Sequence, residues 1–143
     1  MLTARQVLDK TVAAWNASDE AGVVAMGAPD VELTASGGLD FNGKEGFRKW
    51  YQLWAEACPD RVVRYHDVVE DDGLAIGEGT FTGTHTGTLH LPIGDVPATG
   101  RHLKADYVAV LRVSGGKITY MRHYFDVMDL MIQLGLAGAE AAV

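Results

Sequence analysis

The sequence is poor in the residues that would tie a protein to a metal, a membrane or a nucleic acid. Its single cysteine, Cys58, excludes an internal disulfide and a zinc site built from several thiolates. No two of its five histidines have the H-x-H or H-x-x-x-H spacing of a local metal-ligand pair. No apolar run approaches the ~18 residues of a membrane span. Lysine and arginine total 12 against 19 aspartate and glutamate, and the net charge of −7 disfavours nucleic acid and anionic lipid as partners.

What remains is the composition of one folded domain. Hydrophobic residues make up 48% of the 143 residues and charged residues 22%. We therefore assign residues 1–143 to a single domain whose core needs no metal or disulfide. The first residues contain no apolar stretch of signal-peptide length, which predicts a soluble, cytoplasmic protein. Residues 136–143 are rich in small side chains and are predicted to fray.

Most of the predicted helices lie in the first half of the chain. Thr3 and Gln6 form a capping box before apolar residues at helical spacing, and Ser18 is a candidate cap for a second helix. The predicted helices run from the capping box to about residue 17, over 18–26, over 44–57 and over 127–134. The predicted strands cover 31–35, 61–70, 74–91, 101–113 and 117–126, with loops over 37–43 and 92–100.

Segregation of helices from antiparallel strands is typical of an α+β fold. The first three helices are expected to cover one face of a curved sheet. A sheet covered in this way can close over an apolar pocket or over a plain core.

The strand predicted over 74–91 has an unusual alternation. Threonines occupy one face at every second position from 80 to 88, and glycines alternate with Phe81, His85 and Leu89 on the other. Glycine inside a strand usually marks a bend, a bulge or close approach by another group. The pattern therefore predicts one of two structures. Either the sheet is strongly curved, or the glycines form a flat surface against which a ligand lies, with His85 projecting into the pocket.

Four motifs taken together resemble those of a known family. They are Gly83-Thr-His-Thr-Gly87, the loop ending Pro97-Ala-Thr-Gly-Arg101, the turn Gly115-Gly-Lys117, and Arg122-His-Tyr-Phe-Asp126 followed by Gln133-Leu-Gly135. Their order along residues 2–135 resembles the SnoaL-like polyketide cyclases. These belong to the nuclear transport factor 2-like superfamily, which also contains ketosteroid isomerases, scytalone dehydratases and limonene epoxide hydrolases.

The resemblance implies a cone-shaped fold. A curved antiparallel, partly mixed sheet would wrap around three N-terminal helices and enclose one pocket for a hydrophobic small molecule, and homodimers are common in the superfamily. SnoaL-like cyclases close a polyketide ring by intramolecular aldol condensation, without a metal or an organic cofactor. A pocket acid/base takes a proton from the carbon beside a carbonyl, and a donor holds the enolate oxygen.

The family's functional residues carry over only in part. Aligned on the glycine turn, the family's catalytic aspartate falls at His123, and the pocket histidine of the cyclases falls at Ala109. The general base of ketosteroid isomerases falls near Ala35, so steroid isomerisation is not expected. His85 matches the histidine of the family's glycine motif, and Asp126 matches the aspartate of its terminal segment.

Four residues are candidates for acid/base chemistry. His123 lies on the apolar face of the last strand, where an imidazole with an ordinary pKa near 6.5 can act as a base or can be a structural residue. His85 is the second candidate. Asp126 is either an acid or simply the N-cap of the last helix. Asp106 points by alternation toward solvent or a dimer interface, unless a bulge reverses it.

Aromatic residues are the candidates for contact with a ligand. Tyr107 offers an apolar ring and a hydroxyl donor. The other candidates, each of which could equally be plain core, are Trp15, Trp50, Tyr51, Trp54 and Phe81.

Three functions are compatible with these residues. The first is a cofactor-independent cyclase, or a related lyase or isomerase, that acts on a hydrophobic carbonyl compound with His123 as acid/base and His85 and Tyr107 as donors. The second is a non-catalytic small-molecule-binding domain, because the family's aspartate is missing. The third is an epoxide hydrolase or dehydratase. Its hydrolase form needs Asp106, Asp126 and Arg101 to face the cavity together, which the alternation argues against.

Overall fold

A computed structural model describes residues 1–137, so that positions 138–143 of the predicted frayed tail lie outside the described residues. The helices are α1 (Ala4–Asn16), α2 (Glu20–Ala25), α3 (Gly43–Ala57) and α4 (Val127–Gln133). The strands are β1 (Gly27–Ala35), β2 (Leu39–Asn42), β3 (Val62–Asp71), β4 (Leu74–Thr84), β5 (Leu89–Leu91), β6 (Gly94–Val96), β7 (His102–Ser114) and β8 (Lys117–Phe125).

In the described part of the chain, six strands form one mixed sheet in the order β2-β1-β8-β7-β4-β3. Neighbouring strands are antiparallel except β1 and β8, which run parallel. β5 and β6 form a separate hairpin. On the inner face of the sheet, α3 packs mainly over β1 and α1 mainly over β3. The predicted α+β class, with a mixed curved sheet around the N-terminal helices, is confirmed.

Local hydrogen bonds set the start of α1. The Thr3 hydroxyl accepts from the Gln6 backbone N–H at 3.1 Å, and the Gln6 side chain accepts from the Thr3 backbone N–H at 2.9 Å, which completes the predicted capping box. The apolar stripe that follows buries Val7, Leu8 and Trp15. Trp15, on the last turn of α1, thereby lies on the side of the helix that faces the sheet.

The strand predicted over 74–91 is broken, which corrects the sequence interpretation. β4 ends at Thr84 because the chain then packs on the end of α3, where the N–H groups of Thr86 and Gly87 both donate to the Ala57 carbonyl at 3.1 Å. A side chain at Gly87 would collide with the backbone carbonyl of Glu56. The loop predicted over 92–100 contains β6, which closes the hairpin with β5.

Two smaller boundaries also differ from the prediction. Asp19, not Ser18, caps α2, because Ser18 adopts a left-handed φ of 55° while the Asp19 carboxylate accepts the Gly22 N–H at 2.9 Å. The loop predicted over 37–43 contains β2, which pairs with β1. β2 is only four residues long and carries no periodic signal, so its pairing, not its own sequence, makes it a strand.

Candidate functional site

A largely apolar cavity lies between α1, α3 and the inner face of the sheet. It is partly open to solvent, and its lining is mainly apolar and aromatic with a few polar groups, as in small-molecule pockets. All three tryptophans of the chain line it from the helices, and its polar side chains come mainly from the sheet. The residues that matter for chemistry or recognition are Thr11, Trp15, Trp50, Trp54, Tyr65, Tyr107 and His123.

His123 lies in the middle of the sheet side of the cavity. In the strand register it stands between Ala35 on β1 and Ala109 on β7. These are the three positions at which the family resemblance places catalytic groups, so the fold brings them to one rung of the sheet. On that rung only His123 carries a titratable side chain. Its ring centroid lies 5.7 Å from that of Trp50 and 5.0 Å from that of Tyr107.

The apolar surroundings keep His123 neutral. Burial lowers the pKa of His123 to about 4, because the imidazolium form loses its hydration. Nε2 is shielded from solvent and has no hydrogen-bond partner within the described residues. A neutral imidazole has one nitrogen with a free lone pair. At neutral pH the ring is therefore able to accept a proton or a hydrogen bond from a bound molecule.

Tyr65 and Tyr107 form a pair of donors next to His123. Their rings meet edge to face at 75° with centroids 5.7 Å apart. Burial raises the pKa of Tyr65 to about 12 and that of Tyr107 well above its usual value of 10. Both hydroxyls therefore stay protonated at neutral pH and can donate a hydrogen bond.

The glycines of β4 make room for this tyrosine pair. A Cβ at Gly77 would lie 2.9 Å from the Tyr65 ring, and one at Gly79 would lie 3.1 Å from Tyr65 and 3.2 Å from Tyr107. Further along the strand, a Cβ at Gly83 would lie 2.8 Å from the Cβ of Cys58 at the end of α3. The glycine face is thus covered by the protein's own side chains, and a ligand meets the tyrosines in front of it.

The structure brings six of the ten sequence candidates to the cavity. Those that line it are His123, Tyr107, Trp15, Trp50, Trp54 and Phe81, and those that do not are His85, Asp106, Asp126 and Tyr51.

His85 is fully buried and holds a loop. Its Nδ1 accepts the Thr99 backbone N–H at 3.2 Å and lies 2.9 Å from the Thr99 hydroxyl. Its own backbone bonds Gly100 and Arg101, both at 2.8 Å. Burial lowers the pKa of His85. The alternation that pointed His85 at the pocket no longer applies, because β4 has already ended at this point.

Both acidic candidates are exposed. Asp106 faces the outer side of the sheet, where its Oδ1 accepts from the Thr80 hydroxyl at 2.7 Å. Thr80 stands opposite Asp106 in a regular part of the β4–β7 register, so no bulge reverses the alternation. Asp126 caps α4 and accepts the Asp129 N–H at 2.9 Å. Within the described residues, no carboxylate lines the cavity.

Sequence reasoning missed two polar residues of this region. Tyr65 follows the buried Val63 by two positions on β3, so the alternation would have placed both on the inner face. Arg61, which packs behind Trp15, carries no such signal because an arginine before a strand is ordinarily exposed. Its burial is decided by the tertiary structure alone.

Other chemistry has little support among residues 1–137. There, no group of three or more His, Cys, Asp or Glu side chains is placed to hold a metal ion. No helix of this part of the chain combines the length and apolarity needed to cross a membrane. Burial raises the pKa of the Cys58 thiol to about 11, so the thiolate that a nucleophile requires is scarce at neutral pH.

Comparison with known proteins agrees with the geometry. Residues 8–121 match the sequence model of the SnoaL-like domain. Among curated proteins, no sequence matches this chain.

Solved structures share the fold across nearly the whole chain. A candidate SnoaL-like polyketide cyclase from Jannaschia sp. CCS1 is 15% identical with a TM-score of 0.81, and the match covers 94% of this chain and 92% of that one. A candidate polyketide cyclase from Pseudomonas putida KT2440 is 25% identical with a TM-score of 0.76, covering 93% and 98%. A ketosteroid isomerase-like protein from Catenulispora acidiphila, solved with trimethylamine, is 18% identical with a TM-score of 0.77, covering 95% and 96%.

Proposed function

The chain belongs to the SnoaL-like domain family, and from this membership we propose that it binds a hydrophobic carbonyl compound and moves one of its protons without a cofactor. The reaction class is polyketide-type ring closure by aldol condensation, or a related lyase or isomerase step. His123 carries the proposal. Three of the described residues that line the cavity have a titratable side chain, namely Tyr65, Tyr107 and His123. His123 has the lowest pKa of the three, so it is the one that can act as a base at neutral pH.

In the proposed reaction a ring nitrogen of His123 takes a proton from the carbon beside the carbonyl. The C–H bond breaks, its electron pair forms the C=C bond of an enolate, and the carbonyl oxygen takes the negative charge. In ring closure the enolate carbon attacks a second carbonyl of the same molecule, and the imidazolium returns the proton to the new alkoxide. Protons and electrons therefore balance within the ligand and His123.

The Tyr65–Tyr107 pair is the proposed donor to the enolate oxygen. The Tyr107 ring lies 5.0 Å from the His123 ring, so base and donor face the same part of the cavity. Both hydroxyls are protonated at neutral pH, so the pair has a proton to donate. A donor already aimed at the place where negative charge develops stabilises the transition state without a reorganisation cost.

A histidine in this position can match the strength of a carboxylate base. With a pKa of about 4, the conjugate acid of His123 is as acidic as an ordinary aspartic acid, at about 3.9. Proton transfer also creates an imidazolium and an enolate in an apolar cavity, and the attraction between the two charges offsets part of the cost of burying them. The matched base strength supports catalysis by His123 where the family resemblance places an aspartate.

A non-catalytic binding domain is the second candidate. The lack of a carboxylate in the described cavity lining favours it, because no anionic side chain is present to stabilise the imidazolium. The epoxide hydrolase hypothesis has less support, since Asp106 and Asp126 lie outside the cavity.

Exchange of the C2 protons of 1-tetralone for deuterium, followed by proton NMR, tests the proposed proton transfer without knowledge of the natural substrate. This ketone is bicyclic and hydrophobic and has exchangeable protons beside its carbonyl. We expect the protein to accelerate exchange by ~100-fold or more over buffer, because general base catalysis typically contributes roughly 10²–10⁴-fold when the proton is within reach. Bound ketone that exchanges at the buffer rate would contradict catalysis and favour the binding domain.

We also propose that two copies associate through the outer face of the sheet. Ile76, Val108 and Tyr124 are exposed there, and Val108 stands opposite Tyr124 in the β7–β8 register. Neighbouring exposed apolar side chains on a sheet are typical of an interaction surface.

The Val108→Glu variant is expected to convert a dimer into a monomer, because it places a charge in this apolar patch. Light scattering after size-exclusion chromatography measures the mass. Ile93→Glu is the matched control, since Ile93 is 75% exposed in the turn between β5 and β6 and away from the patch. A monomeric wild type, or a dimer in the Val108→Glu variant, would contradict this interface.

A further inference from the structure

Arg61 is a buried arginine that the proposed proton transfer leaves unexplained. Only 4% of its surface is exposed. Its guanidinium carbon lies 5.0 Å from the ring centroid of Trp15 and 4.8 Å from that of Tyr51, so the cation is held against two aromatic rings.

The positive charge of Arg61 has no carboxylate partner. Nη1 donates one long hydrogen bond to the Pro59 carbonyl at 3.4 Å. Nε and Nη2 are shielded from solvent and have no partner within residues 1–137, and no ion pair in this part of the chain includes Arg61. The adjacent Asp60 accepts the Thr84 N–H instead, at 2.7 Å. Buried charges are ordinarily paired, so the missing partner calls for an acceptor from outside the described residues.

Trp15 lacks the same kind of partner. Its Nε1–H is buried without an acceptor among residues 1–137, and Trp15 lines the cavity. Indole and guanidinium groups donate hydrogen bonds and accept none. One side chain of the cavity lining and the positively charged side chain packed behind it therefore both lack an acceptor in the described part of the chain.

We propose that the natural ligand is a hydrophobic acid whose carboxylate binds where Trp15 lines the cavity, next to the guanidinium of Arg61 behind that ring. The apolar body of the ligand fills the aromatic cavity, and the carboxylate accepts from Trp15 Nε1 and from the free N–H groups of Arg61. Both donors are closed off in this structure, so the Trp15 ring shifts as the carboxylate enters. This inference rests on the proposed function only in taking the cavity as the ligand site, and it does not require His123 to move a proton.

Calorimetric titration with 2-naphthoate and 2-naphthamide tests the inference. The two molecules share one bicyclic ring system and nearly the same shape, and they differ in charge. We expect the wild type to bind the acid about tenfold more tightly or better, because a charged acceptor strengthens both hydrogen bonds.

The Arg61→Met variant should bind naphthamide as the wild type does and lose the preference for naphthoate. This variant removes an unpaired buried charge and keeps most of the side-chain volume, so we expect it to fold, as a thermal melt will check.

Two controls separate this site from simpler causes. Arg64→Met removes the same charge from an exposed position on β3 and should keep the preference for the acid. Acetate tests for a general anion site and should not compete with naphthoate at equal concentration.

Three results would overturn the inference. They are equal affinity of the wild type for both ligands, a preference that survives in Arg61→Met, and effective competition by acetate. If the wild type binds neither ligand, the cavity is not a ligand site, and both the carboxylate proposal and the proton-transfer proposal are wrong. A retained preference for the acid without exchange of 1-tetralone would remove only the catalytic proposal.

Discussion

Replacing His123 with glutamine is expected to slow the protein-catalysed exchange of the 1-tetralone C2 protons by about a hundredfold, the scale of a lost general base. Glutamine keeps a polar side chain of similar reach but has no nitrogen lone pair basic enough to take a proton. Proton NMR at saturating ketone measures the rate. Ketone affinity should change little, since the aromatic walls of the cavity provide most of the contact.

His66→Gln is the matched control for this variant. His66 is an exposed histidine on β3, where its Nε2 lies 3.4 Å from the Thr80 hydroxyl on the outer side of the sheet. Its replacement should leave exchange unchanged. Wild-type exchange in a His123→Gln protein that still binds the ketone would assign the proton transfer to another group.

The His123→Asp variant distinguishes a base from a structural histidine. It restores the residue type that the family resemblance places at this position, and a carboxylate of ordinary pKa has about the same base strength as His123. We therefore expect His123→Asp to exchange the ketone protons at least ~10-fold faster than His123→Gln. Equal rates in the two variants would show that basicity at position 123 is not what the reaction uses.

Loss of stability in acid is the second large effect expected from His123. Its pKa is about 4 in the folded protein against an ordinary 6.5, so between these values the unfolded chain binds a proton that the folded chain does not. The contribution of His123 is thus favourable above pH 6.5 and is lost progressively as the pH falls toward 4. By linkage, the free energy of unfolding should fall by about 2–3 kcal/mol from this group alone between roughly pH 7.5 and 4.5.

Urea unfolding of the wild type and of His123→Gln at both pH values isolates this contribution. The two proteins share all other titrating groups. Each protein loses stability between pH 7.5 and 4.5, and the amount by which the wild type loses more is the contribution of His123. Glutamine does not titrate, and its protein should lose about 2–3 kcal/mol less on acidification. An equal loss in both proteins would mean that His123 has an ordinary pKa, and that the cavity is wetter than its lining indicates.

The features of the fold that could be predicted from the sequence are those that depend on near neighbours. The Thr3–Gln6 capping box joins residues three apart, and the glycine turns at 72–73 and 115–116 have the positive φ angles of two-residue hairpin turns. The β2 strand and the β5–β6 hairpin could not be predicted in the same way. They are short, and their strand character comes from pairing or from contact with α3, not from a pattern of their own.

The residues of the candidate site could likewise be predicted only where the argument depended on near neighbours along a strand. Alternation along β7 and β8 placed Tyr107 and His123 on the inner face and Asp106 on the outer one, as the structure has them. The same argument failed for His85, because alternation holds only while the strand continues and β4 stops at Thr84.

By itself, then, the sequence determined the α+β class, the family resemblance and the face of the sheet on which the residues of β7 and β8 lie, because a two-residue period is a local property. Only the tertiary structure decided that His123 stands between Ala35 and Ala109 and that its imidazole is dry enough to stay neutral. It alone placed the unpaired charge of Arg61 behind Trp15. Register, dehydration and the lack of a counter-charge all depend on which distant parts of the chain meet, and no local pattern encodes that.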